Sequence, residues 1–157
     1  MPMDTVSHFD PTRLSIMRIT IAKASIEASD EYLRSPAPPH TTGLIFNPDL
    51  GFDYENKAAR AHLTIDMEGL TADQKPLGLK ACYKVVADFK VENLDECVRR
   101  TDGIPVVDGQ LAIAIMSILY STMRGMILER TAGTFFNGVM LPVINPKMLT
   151  PQPVANG

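Results

Sequence analysis

The stretch from Gln110 to Leu149 constrains this chain more than any other. From Leu111 to Tyr120 nearly every residue is apolar, and no formal charge occurs before Arg124. Asp108 is placed to cap a helix start and Gly133 to end it. A helix over 110–131 would be about 33 Å long at ~1.5 Å per residue. Its apolar residues fall on two stripes: Leu111, Ile115, Ile118 and Leu119 on one, and Ile113, Met116, Tyr120, Met123 and Ile127 on the other. A helix apolar on both sides needs cover on both sides. One cover is the chain's own sheet. The other is expected to be a second copy, which assigns Leu111, Ile115, Met116, Leu119 and Met123 to an oligomer interface. On that reading an aspartate at position 115 or 116 breaks assembly.

The rest of the chain fits one domain, 1–157, with flexible ends expected at 1–12 and 150–157. A chain of 157 residues buries roughly 68–70% of its unfolded surface. With 45% hydrophobic and 21% charged residues, the composition is that of a folded chain. The net charge of −3 supplies no basic face for phosphates, which argues against nucleic acid as a partner. Met1 to Asp10 lacks the basic and apolar regions of a signal peptide. The uncharged run from Gly109 to Met123 is shorter than the roughly 20 residues a membrane span needs. Cys82 and Cys97 make no CxxC or zinc spacing. A reduced, cytoplasmic setting is expected.

The region before the helix reads as strands. Leu14 to Ala28 is β-rich, and the proline-rich stretch from Ser35 to His40 is a connection. Gly43 to Tyr54 is interrupted by Asn47-Pro48-Asp49 and reads as a short strand or a partly ordered crossover. Two further runs alternate strictly. Ala59, Ala61, Leu63, Ile65 and Met67 face one way, opposed by Arg60, His62, Thr64, Asp66 and Glu68. After a turn at Gly69–Pro76, Leu79, Ala81, Tyr83, Val85, Ala87, Phe89 and Val91 repeat the pattern. This period of two indicates antiparallel strands with one wet face. Asp95 to Arg100 reads as a helical turn, Arg99 to Gly103 as a surface turn, and Ile104 to Val107 as the lead into the helix. Strands first and the long helix last make an α+β fold: a four-stranded antiparallel sheet, one helix packed on it, and an extended C-terminal tail.

The order of these elements resembles the SecB family of protein-export chaperones. The family's first strand reads R-I-x-x-x-D-I-S-F-E-A, and here Arg18 to Ala28 reads R-I-T-I-A-K-A-S-I-E-A. The family's helix carries L-F-P-Y-x-R, against Leu119-Tyr120-Ser121-Thr122-Met123-Arg124. Its following loop reads S-R-G-T-F-P-Q-L-N-L-A-P-V-N-F, against Thr131 to Asn145. The resemblance spans roughly 14–149. It implies a chaperone with no catalytic residues and no cofactor, assembled as a tetramer that is a dimer of dimers. Two departures matter. The acidic position where the family docks the export ATPase SecA is Lys23 here, although the second acid is kept as Glu27. That reversal opposes the same partner. No counterpart of the family's second helix is expected either, because Thr150 to Gly157 is proline-rich. An open groove, or one covered by another subunit, is expected.

The polar residues form no recognisable reaction centre. His8, His40 and His62 are scattered, Ser117 and Ser121 lie inside the helix without a nucleophile elbow, and no metal-ligand spacing occurs. Asp66, Glu68, Asp88 and Glu92 interleave with Arg60, Lys80, Lys84 and Lys90, as on a charged sheet face. Arg124 is expected to pair with Glu129 or to bind loop carbonyls. The apolar residues outside the helix are the better clue. Leu44, Ile45, Phe46, Leu50, Phe52 and Tyr54 in the crossover, with Phe135, Phe136, Met140, Leu141, Met148 and Leu149 in the tail, are assigned to a groove for an extended polypeptide. An ATP-independent holdase for unfolded polypeptides follows, serving export or guarding one client such as an antitoxin. Two alternatives stand beside it: a hotdog-type thioesterase, whose long helix would follow the first strand, and a non-catalytic adaptor oligomer.

Overall fold

The structure, a computed structural model, describes residues 8–151. Strand β1 runs over Leu14–Ala28, helix α1 over Asp30–Arg34, β2 over Thr41–Asp53, β3 over Ala58–Leu70 and β4 over Pro76–Val91. A hairpin follows, with β5 at Val98–Thr101 and β6 at Ile104–Val107, and leads into helix α2 at Gly109–Thr131. Strands β1 to β4 form one antiparallel sheet in the order β1-β4-β3-β2. The fold is α+β, with a long helix laid across a four-stranded antiparallel sheet after all its strands.

The alternation in the sequence sets which face is dry. Every inward residue of β3 from Ala59 to Met67, and of β4 from Leu79 to Val91, is buried. Their neighbours in the chain are at least partly exposed. Helix α2 lies over β3 and β4, capped at its start by Asp108, whose carboxylate accepts the Gln110 N–H. It stops before Gly133, whose φ of +76° suits glycine. Its buried face is one stripe, including Leu111, Ala112, Ile115, Met116, Leu119, Tyr120, Met123 and Ile127. The two expected stripes therefore merge into one, and Ile113 and Ile118 are left half-exposed.

This corrects the interface assignment. Leu111, Ile115, Met116, Leu119 and Met123 are all 0% exposed within the single chain. They are enclosed between helix and sheet, so a second copy has no access to them. The helix is also longer than its uncharged run. At 23 residues and a mean hydropathy of 1.7 it is long and apolar enough to cross a membrane. Its apolarity has a sufficient cause in the sheet, because the most apolar stripe is fitted to β3 and β4.

Three other expectations change. Strand β2 is continuous through Pro48, which pairs with Leu63. It is the edge strand, and an edge tolerates a residue without an N–H. Helix α1 was not anticipated, although Ser29 caps it by accepting the Tyr32 N–H and Asp30 and Glu31 occupy its first turn. Gly78 (φ +84°) lies directly under that cap, where a Cβ would come within 2.2 Å of the Ser29 hydroxyl. Residues Arg99–Gly103 belong to the β5–β6 hairpin, with Asp102 and Gly103 both at positive φ in its turn. Of the ends expected to be flexible, 1–7 and 152–157 lie outside the described residues. The described part of the N-terminus is anchored: the His8 N–H donates to Asp108 and Asn93 donates to the His8 carbonyl.

Ile115→Asp should therefore unfold the chain. A charge enclosed in the core without a partner costs about 3–5 kcal/mol, a large part of a domain's stability. Far-UV circular dichroism on heating should show a lost or strongly lowered transition. A native melt with a reduced native mass would restore the interface assignment.

Candidate functional site

The tail crosses the side of the core that α2 leaves open. Beyond the helix the chain turns back, and Thr131 organises the turn. This residue is fully buried. Its hydroxyl donates to the Ile127 carbonyl at 2.6 Å and accepts the Val139 N–H at 2.8 Å. Its carbonyl accepts the Thr134 hydroxyl and the Gly138 N–H. From there the tail runs without regular structure to a 3-10 turn at Pro146–Leu149, which touches both α2 and β2. Tyr120 donates its hydroxyl to the Pro142 carbonyl, and Arg124 donates its Nε to the Leu141 carbonyl at 3.2 Å. Arg124 thus binds a loop carbonyl, one of its two expected roles. The Tyr120 ring meets Phe46 of β2 edge-on at 5.9 Å.

The residues assigned to a peptide groove divide into three groups. Phe136, Leu141 and Leu149 are buried core residues, closed to a ligand while the tail is seated. Leu44, Phe46, Leu50 and Phe52 are half-buried on the helix side of β2, because their partners in β3 are the inward residues Met67, Ile65, Ala61 and Ala59. Phe135, Met140, Met148 and Tyr54 are exposed. Phe135 rests edge-on against Tyr32 of α1 at 5.3 Å, and Tyr54 stacks on Phe52. Ile45 is separated from the rest. It pairs with Asp66 and projects from the opposite face of the sheet, 63% exposed. Sequence reasoning missed Tyr32, Val143 (84% exposed) and the carbonyl-holding role of Tyr120. The Ser29 cap signalled α1, but nothing local signals the Tyr120 contact 22 residues away.

The outer face of the sheet carries the charges. Its registers align Glu27, Lys80 and Glu68 in one row, Ser25, Cys82 and Asp66 in the next, and Lys23 opposite Lys84. These rows border a concave recess of about 590 Å³ that includes Glu27 and Lys23. Farther along, Asp88 takes two contacts from Arg60, the shorter at 2.6 Å, and one from Arg18. The Arg60 hydrogen bond, then that of Arg18, holds the Asp88 carboxyl below its ordinary range. This stabilisation is present above the ordinary aspartate pKa and is lost as the pH falls through the lowered one. The pairs are solvent-exposed and add little.

The chemistry of this face is quiet. Burial first, and then Asp66, push the Cys82 thiol up, and burial does the same to Cys97, so both stay protonated at neutral pH. Among the described residues no group of three or more His, Cys, Asp or Glu is placed to hold a metal ion.

No protein-family profile matches the chain, and no curated protein matches it. Solved structures do. A SecB-like chaperone of Mycobacterium tuberculosis, in complex with a ChAD peptide from the HigA1 antitoxin, superposes with a TM-score of 0.58. The identity is 16%, and the match covers 85% of this chain and 91% of that one. The chain therefore has a SecB-like fold. A Streptococcus agalactiae protein of unknown function aligns over 83% of this chain and 97% of that one, with 9% identity and a TM-score of 0.41.

Thr131→Val keeps the side-chain volume but leaves the Val139 N–H without its acceptor. The expected loss is about 1–3 kcal/mol, measurable by urea unfolding. An unchanged midpoint would mean that Thr131 does not hold the tail.

Proposed function

We propose that the protein is an ATP-independent holdase that binds non-native polypeptides along the border between β2 and the tail. The observation that carries this reading is the unfilled apolar border itself. Tyr54 just past the end of β2, stacked on half-buried Phe52, and Met140, Val143 and Met148 along the tail leave apolar surface in water, and the 3-10 turn of the tail touches β2, an edge strand. An extended chain can use both features, burying its side chains and pairing its backbone. Such binding needs neither a reaction centre nor a nucleotide. The SecB-like neighbour supports the reading, because its solved complex holds an antitoxin peptide.

Of the two duties of such a holdase, guarding a dedicated client in the cytoplasm is favoured over general export. Lys23 stands opposite Lys84 on the outer face, a positive pair that opposes a SecA-type partner needing acids there. Glu27 alone, aligned with Lys80, does not offset it.

Self-assembly belongs to the same proposal. Helix α2 makes its main sheet contacts with β3 and β4. Ile16, Met17 and Ile19 of β1 are consequently exposed beside an unpaired edge, Met17 at 66%. The outward face of α2 carries Ala114, Ser117, Ser121 and Gly125, small enough for close approach of a second helix, with Ile113 beside them. A dimer through β1, doubled through the outward faces of α2, covers both surfaces with two-fold interfaces. This gives a tetramer whose interface lies on the face of α2 opposite to the stripe first assigned.

Dilution of a chemically unfolded, aggregating client into a solution of the protein tests the reading. Turbidity should be suppressed without nucleotide, and Phe52→Ser with Tyr54→Ser should weaken the protection several-fold while the fold is kept. Aggregation at the unprotected rate would contradict it. Ser121→Arg should halve the native mass without lowering helical content, because position 121 is exposed in the single chain. A tetramer in that variant, by light scattering, would refute the α2 contact.

A further inference from the structure

We infer that the cleft between α2 and β2 is a seat for an extended peptide, and that the chain's own tail, 140–149, is the occupant a client displaces. The inference rests on the holdase reading and adds a step to it: a client that first meets the exposed border then takes the tail's place, and the seat decides which peptides fit.

The tail is bound as a ligand would be. From Met140 to Asn145 it belongs to no helix or strand. Its carbonyls at Leu141 and Pro142 are held by side chains of α2, Arg124 and Tyr120. Contacts of that kind read backbone oxygens, which every polypeptide carries, and so hold any extended chain. Side-chain placement along it has a period of three. Leu141 is enclosed and Ile144 half-buried, whereas Met140 and Val143 project into solvent. Leu149 then fills the far end against α2 and β2, 2% exposed.

The tail is also built to leave as a unit. Asn137 and Gly138 are both at positive φ, a turn immediately before the seated segment. Thr131 pins the turn itself and the first residue beyond it, through Gly138 and Val139. Displacement therefore opens the segment from about Met140 onward and spares the sheet and α2. Local opening of this kind needs less free energy than global unfolding. The seat selects for chemistry resembling the tail. Between Val139 and Leu149 the only charge is Lys147, so a fitting client presents an extended, nearly uncharged segment with aliphatic side chains at the spacing of Leu141, Ile144 and Leu149.

Leu149→Cys reports the seat directly, with Leu141→Cys as a second reporter should the first not fold. The thiol is shielded while the tail is in place, and maleimide labelling at that position is followed by peptide mass mapping. Adding reduced, carboxymethylated α-lactalbumin as a permanently unfolded client should raise the labelling rate by about tenfold. A complex that forms with no change in labelling overturns the inference. If no complex forms, the holdase reading fails, and the seat is judged alone. A synthetic peptide of residues 139–151 should then bind the Leu149→Cys chain, whose own tail is weakened, about threefold or more tighter than the unaltered chain. Equal binding to both, or none to either, overturns it.

Discussion

The contact between the buried stripe of α2 and the inward faces of β3 and β4 underlies everything else in this chain. Ile115, Met116, Leu119 and Met123 meet a sheet surface of Leu63, Ile65, Val85 and Phe89, and all of them are essentially inaccessible to water. Burying a large aliphatic or aromatic side chain contributes about 1.5–3 kcal/mol, so this layer outweighs the ion pairs around Asp88, which are screened by solvent. The packing also fixes direction. With α2 over the central pair of strands, both edges of the sheet are left to be handled separately.

The two edges are handled differently, and that asymmetry gives the molecule its functional character. On the β2 side the chain covers itself: the tail returns across the opening, held by Tyr120, Arg124 and Thr131. The cover is partial, so apolar side chains of β2 and of the tail stay at the surface. On the β1 side the described residues leave Ile16, Met17 and Ile19 exposed. A long edge strand with an apolar flank is a site for pairing with another chain. One edge thus suits a second copy, and the other suits an extended guest.

Much of the fold was legible because its signals are local. The strict alternation through Ala59–Met67 and Leu79–Val91 reads directly as a one-sided sheet, and Asp108 and Gly133 bound the helix in sequence as they do in space. The misreadings come from information that is not local. Pro48 breaks a strand only if both its neighbours need an N–H, and whether β2 lies at an edge depends on the whole sheet order. The helix stripes were split wrongly because nearly every position is apolar, which leaves periodicity with little contrast. Phe136, Leu141 and Leu149 were assigned to a groove as loop residues, whereas the tail folds them inward. Two local signals mark the elements that differ: the Ser29 cap for α1, and the Asp102-Gly103 turn, since Asp-Gly between two β-prone runs marks a hairpin.

A holdase binds polypeptides that are unfolded and ignores the same polypeptides when folded. Size-exclusion chromatography with light scattering, on a mixture with a reduced and permanently unfolded client, measures that most directly. The account predicts a mass near four chains for the free protein, a stable heavier complex with the unfolded client, and no complex with the folded one. A tetramer that elutes unchanged beside every unfolded chain offered, including aliphatic-rich segments that resemble its own tail, would contradict it.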